Sequence, residues 1–348
     1  MNQVNLEAAI KSLRDLADQC ETSRDNIARY YTDDGDTLEK DGYREPEDFK
    51  AAVNTAVGTV RDRATTIETY KDKIVELNQS GVASKDADGV ITQAAVRQEI
   101  PADSPASLRP HRVAIGSYSP TGRGADTHLE RTDRIELDVD GELTQVPELV
   151  GAKRADVLVL NDDDLTYAKV RLDDESLSHG LTNIETFAES LPRSIVLASA
   201  WDMVRDGELA ASHFLNAALQ ALDVEEHSSV IQGLLGRITT CLSAFLPPAV
   251  RRDLAPGTAD RLLELARAAQ AGSDKQLQLV RAVAAHAVTG EQLDVVAGFL
   301  EGTSALEGLD VDQDLRWDLL TGLVAAGRFG EERIHAEEAR DRTTTGRE

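Results

Sequence analysis

The chain has 348 residues, enough for two or three domains with buried cores. Its formal net charge of −25 excludes nucleic acid and anionic membrane as expected partners, because both demand a basic surface. A hydrophobic fraction of 41% beside 28% charged residues fits a soluble globular protein, and an aromatic content of only 4% favours helix packing over a large β-fold.

The first residues, MNQVNLEAAIKSL, show no basic segment followed by an apolar run. No stretch approaches the roughly 18 apolar residues that span a bilayer, so the expected location is cytoplasmic. Leu6, Ile10, Leu13, Ala17, Cys20, Ile27 and Tyr31 recur at spacings of four and three, with Arg24 interrupting once. That is the stripe of a long amphipathic helix packed on a partner. Gly35, Gly42 and Pro46 punctuate the polar segment that follows. A second helix is predicted from Pro46, with Val53, Val60, Ile67 and Ile74 at heptad spacing and Phe49, Ala56, Tyr70 and Leu77 alongside. Two helices of similar length joined by a polar turn predict an antiparallel hairpin over 1–80.

Residues 81–89 close a polar linker, NQSGVASKDADG, after which the hydrophobic period changes to two. VITQAAVRQ, HRVAIGSY, RIELDVDG, LTQVP, DVLVL and YAKVRL are short β-rich runs separated by turn signals. Asp140-Gly141 predicts a hairpin between two of them. PADSPASLRP and SPTGRGAD read as loops. The segment 90–174 is therefore predicted as a small antiparallel β-sandwich. Past Leu172 the pattern is helical, with helices predicted over 192–205, 210–221, 228–245, 259–271, 275–286, 292–300, 312–326 and 331–339. Connections at Asp206-Gly207, Pro247-Pro248, Pro256-Gly257, Gly272-Ser273, Thr289-Gly290 and Gly327 are short, so successive helices should run antiparallel. No strict repeat is visible, which makes 175–348 an irregular α-solenoid. The expected fold class is multidomain α+β: α-hairpin, β-sandwich and solenoid in that order.

Cys20 and Cys241 are the only cysteines and are read as buried free thiols. Asp162, Asp163 and Asp164 are consecutive, so their side chains diverge and lack the spacing of a cation loop; a polar strand-end turn is the expectation. Asp310, Asp312 and Asp314 lack the glycine and distal glutamate of such a loop and read as a helix N-terminus. Arg316 and Trp317 follow as packing residues. Ser212, His213 and Asp202 have no nucleophile elbow around them, and His128 and His335 read as surface polar groups. GSYSPTGRG lacks the lysine of a phosphate loop.

LRPHRVAIGSY, DGELTQVPELVG and NDDDLTYAKVRLDD resemble the β-sandwich of actinobacterial-type aminopeptidase N. WDMVRDGELAASHFL, GSDKQLQLVRA and GLDVDQDLRWDLLTGLVAAGR resemble that family's C-terminal helical domain. The likeness runs from about Gly89 to Glu348. It implies a sandwich that links a zinc-bearing catalytic domain to a bowl of helices, which closes over the active site and restricts access to small peptides. The catalytic motifs of the family, His-Glu-x-x-His and Gly-x-Met-Glu-Asn, are absent. The histidines are His111, His128, His179, His213, His227, His286 and His335, and no two lie within five residues of each other. Two imidazoles one helical turn apart are what a zinc hydrolase of this kind requires. No catalytic, cofactor-binding or metal residue is therefore assigned; zinc belongs to the parent family.

The hairpin lies outside that likeness. In size, form and acidity it is similar to the small exported hairpins of type VII secretion systems, although both tryptophans, Trp201 and Trp317, lie away from its turn. Tyr30 with Asp34 and Tyr43 with Glu47 match the spacing of an export signal, before or at the turn. Three readings stay open: a non-catalytic fragment of an aminopeptidase with an accessory or gating role; an exported hairpin with an aminopeptidase-derived extension; or one half of a split aminopeptidase. The expected partners are a chain bearing the zinc domain, peptides by family likeness, or a second copy. Self-association is expected at the C-terminal end, where Leu319, Leu320, Leu323, Val324, Phe329 and Ile334 include more apolar positions than one buried side requires, so that part of this surface should be exposed, since the family's helical domain normally continues further.

Overall fold

The computed structural model describes residues 14–21, 51, 53–61, 83–99, 108 and 110–341, and it divides into two compact units, Met1–Gly81 and Val82–Glu348. In the first unit, residues 14–21 and 53–61 are helical. Ala17 and Val57 are buried, and Arg61 bonds both Asp18 and Glu21. The second apolar track falls on Val57, not on the exposed Ala56. Cys20 is exposed, against expectation. The remainder of the predicted hairpin lies outside the described residues.

The second unit begins with six strands: β1 (Ala83–Lys85), β2 (Ile91–Arg97), β3 (His111–Thr121), β4 (His128–Val139), β5 (Leu143–Gln145) and β6 (Val157–Leu160). They form two antiparallel sheets, β1-β2-β5 and β4-β3-β6. Alternation along each strand assigns its side chains to opposite faces. Ile91 and Val96 meet Val113, Ile115, Val139 and Leu158 in a core between the sheets. The other face of β6, Val157 and Val159, joins Tyr118 in a larger core made with the helices. Sheet and helices thus share one interior.

Several expectations are corrected here. The linker contains β1, whose Lys85 pairs with Glu175 at 2.5 Å. Asp140-Gly141 makes no hairpin. Gly141 has φ +77°, and β5 leaves β4 to pair with β2 in the other sheet. The hairpin is instead β3–β4, through part of SPTGRGAD. YAKVRL forms no strand; it runs as an irregular segment along the helices, with Ser199 Oγ donating to the Val170 carbonyl at 2.9 Å. PADSPASLRP is mostly outside the described residues.

Nine helices of the second unit follow among the described residues: α1 (Asp174–Thr182), α2 (Ser190–Arg205), α3 (Ala211–Val224), α4 (Ser228–Thr240), α5 (Pro248–Ala268), α6 (Asp274–His286), α7 (Gly290–Glu301), α8 (Gln313–Ala325) and α9 (Glu331–Arg340). α1 is not among the helices that the sequence pattern predicts. Its cap, Asp173, accepts from Ser176 N, and Ser176 Oγ accepts from both Arg154 and Leu158 N, which ties α1 to β6. Ser273, Thr289 and Asp312 cap α6, α7 and α8 in the same way. Cys241–Phe245 continues α4 as a π-turn. Pro256-Gly257 is no break: α5 runs through it. Leu254 and Ala255 before the proline pack on the core, and Ala259 and Leu262 after it are buried. Tertiary packing there outweighs the proline's lost hydrogen bond.

At the apolar C-terminal end only part of the surface is exposed. Leu319, Leu320 and Leu323 are interior, Val324 and Phe329 are half-buried against the same core, and Ile334 alone of the six is exposed. The reason is a close crossing of α8 on α6, where Gly322 sits so near that a Cβ would lie 2.1 Å from the Ala284 carbonyl oxygen. Gly322→Ala is expected to destabilise the unit by about 1–3 kcal/mol. Urea unfolding measures this, and a midpoint equal to the parent's would show that the two helices separate freely. Among the described residues no helix is long and apolar enough to cross a membrane.

Candidate functional site

The chemically richest cluster lies where β6 ends against the β3–β4 hairpin. Asn161, Asp163 and Asp164 all adopt positive φ, at 60°, 66° and 53°. Asn and Asp tolerate this region better than other side chains, which explains why the run Asn-Asp-Asp-Asp stands here. Asn161 closes the loop by accepting from Thr166 N at 3.1 Å and donating to the Thr166 carbonyl at 2.9 Å. The turn drives Asp162 inward until it is 1% exposed. It lies over Gly116 of β3, where a Cβ would come within 2.3 Å of Asp162 Oδ2. A glycine inside a strand marks such an approach.

Asp162 accepts from Tyr118 Oη at 3.0 Å and from Arg131 Nη1 at 2.8 Å. Asp163 accepts from Arg131 at 2.8 Å and Arg134 Nε at 2.6 Å, and these two guanidiniums hold its carboxyl below the usual range. The chain of pairs continues along the sheet through Glu136 and Arg112 to Asp138. Burial, reinforced by the Asp162 charge, pushes the Tyr118 hydroxyl well above its ordinary value, so it stays a protonated donor. Both acids are thus consumed by guanidiniums. The network fixes a loop; it leaves no carboxylate pair for a cation. What the loop presents is apolar: Leu165 is 42% exposed and Tyr167 fully so.

Among the described residues no three His, Cys, Asp or Glu side chains gather closely enough to hold a metal ion. Asp312 is the cap of α8, accepting from Leu315 N at 2.9 Å, while Asp310 and Asp314 are exposed. Ser212, His213 and Asp202 are not joined by any hydrogen bond; Asp202 faces Arg205 at 3.6 Å. His128 bonds Glu130 and His335 faces Glu331 and Glu338, both on the surface. Arg316 pairs with Glu337, and Trp317 Nε1 donates to Asp341 at 2.8 Å. Burial pushes the Cys241 thiol up to about 12, which leaves it inert. Sequence reasoning missed the partners of Asp162. The signal was present in Gly116, a glycine amid the strand residues Val113, Ala114 and Ile115.

Comparisons with known proteins bear on the second unit most strongly. Residues 157–348, more than half of the chain, match the ERAP1-like C-terminal domain. The chain belongs to that family. Residues 1–103 match a family of unknown function, DUF6571, which reaches past the unit boundary at Gly81 into β1 and β2. The aminopeptidase N of Streptomyces lividans is 49% identical over 266 residues, covering 75% of this chain and 31% of that protein. The chain therefore spans about a third of that relative's length, and the resemblance of its sandwich and helices to the C-terminal half of aminopeptidase N is established.

Proposed function

We propose that residues 82–348 act as the non-catalytic sandwich-and-helix portion of an aminopeptidase N architecture, covering and narrowing access to a zinc site carried outside these residues. The supporting observation is the combination of 49% identity to an aminopeptidase N with a sequence in which no two histidines lie within five residues. Peptide hydrolysis needs a polarised water and a general base, and a zinc hydrolase builds both on paired imidazoles. Of the carboxylates that sequence singled out, Asp162 and Asp163 are bound to arginines and Asp312 caps α8, which supports reading them as parts of a scaffold. The match of residues 1–103 to a family of unknown function adds no support to the exported-hairpin reading, which is not the one proposed.

The gating role is tested by titrating this chain into the part of the Streptomyces relative that lies outside the matched 31%, prepared as a separate polypeptide. Association is expected, with cleavage of long peptides suppressed relative to dipeptide substrates. Failure to associate, or equal effects on long and short peptides, would sink the proposal.

A further inference from the structure

A cleft of about 490 Å³ opens between the end of α7, the segment 302–311, α8 and α9. That is within the size range of small-molecule sites. Its composition runs against the chain's. In a protein of net charge −25, three guanidiniums line it, Arg316, Arg333 and Arg340, against one lining carboxylate, Glu301, with Glu337 bound to Arg316 behind the wall. The rest of the wall that matters is apolar, with Leu306, Leu309 and Val311 half-buried and Leu300 buried.

The guanidiniums are held to different degrees. Arg316 is fixed, with Nε and Nη2 on Glu337 at 2.7 and 2.6 Å and Nη1 on the Leu300 carbonyl at 2.7 Å. Arg333 stacks 4.2 Å over the Phe329 ring and spends one Nη2 bond of 2.6 Å on Glu301. Of its five N–H groups, the others stay available. Among the described residues Arg340 makes no hydrogen bond or ion pair, and its charge acts only at longer range on Glu337. The site therefore has a rigid wall, a partly spent donor and an unspent one.

We propose that this cleft binds a small carboxylate with an apolar chain, its carboxylate on Arg340 and Arg333 and its chain against Leu306, Leu309 and Val311. A cation meets the charge of Arg340, which no carboxylate within ion-pair distance offsets, while Glu337 and Glu301 are already held by Arg316 and Arg333. An amine has only Glu301 to turn to, and Arg333 already holds it. Inorganic phosphate satisfies the arginines but leaves the apolar wall in water, forfeiting the burial that selects the tail. This inference stands apart from the aminopeptidase reading, since it uses only the lining of the cleft.

The probe is hexanoate, titrated into the full chain by calorimetry, with hexylamine and inorganic phosphate as parallel arms. Hexanoate is expected to bind with a dissociation constant on the order of 1 mM, and the other two at least several-fold more weakly. Arg340→Gln, at an exposed helix end, should fold normally and bind hexanoate about tenfold more weakly, the size expected for a charged hydrogen bond. Leu309→Ser should weaken hexanoate while leaving phosphate unchanged. Equal binding of hexylamine, phosphate as tight as hexanoate, an unaffected Arg340→Gln variant, or no hexanoate binding at all would each overturn the proposal.

Discussion

Glu225→Ala is expected to destabilise the second unit by about 3–5 kcal/mol, the size seen when one partner of a buried ion pair is removed. Glu225 is 1% exposed at the end of α3. Its Oε2 accepts from Arg193 Nη2 at 2.9 Å and Ser190 Oγ at 2.7 Å, and its Oε1 accepts from Glu226 N and His227 N. Removing the carboxylate leaves Arg193, itself 4% exposed, charged and unpaired except at the Phe187 carbonyl. Burial alone would raise the Glu225 carboxyl, but the bonds from His227 N–H, Arg193 and Ser190 outweigh it and hold the group below its ordinary 4.5. A carboxyl lowered in the folded state contributes stability that is complete above its unfolded value and disappears as pH falls through its folded value. The stability gap between parent and Glu225→Gln should therefore be constant above about pH 5 and shrink below pH 4.5. Urea midpoints at several pH values measure this; a gap that widens in acid would contradict the assignment.

Phe214→Ala should cost about as much, roughly 3–5 kcal/mol, for a different reason. Phe214 is fully buried on α3, with its ring 5.1 Å from Trp201, which in turn meets Phe245 at 5.7 Å and lies under Arg237. Aromatics make up only 4% of the chain, so few neighbours are large enough to relax into the void. The melting temperature should fall by roughly 10 °C. Because sheet and helices share one core, signals from the β-sheet side and from Trp201 should shift together. A melting temperature within a degree or two of the parent's would mean that the cavity collapses, and separate transitions would mean that the shared core is divided.

Sequence revealed the fold class because period-two and helical patterns are local properties. It placed β2 and β3, and it set the start of α4 and the end of α6 on the residues observed. It erred where a distant partner decides. Asp140-Gly141 is a tight turn by composition, yet β5 pairs with β2 because that places Val146 in the core between the sheets. Pro256 reads as a break, yet packing on both sides carries α5 through it. Leu319, Leu320 and Leu323 carry no local sign of which neighbour buries them; Gly322, where α8 crosses α6, was the clue. The acidic triplet was legible as a turn, but its function as an anchor for Leu165 and Tyr167 depends on Arg131 and Arg134, some thirty residues earlier.

We propose that residues 82–348 supply the sandwich and helices of an aminopeptidase N and not its zinc chemistry. The direct measurement is hydrolysis of alanyl and leucyl chromogenic substrates by the full chain, with and without added zinc, beside a mock preparation. No turnover above the mock is expected under either condition. Turnover that tracks the purified chain, is abolished by a chelator and is restored by zinc would contradict the claim.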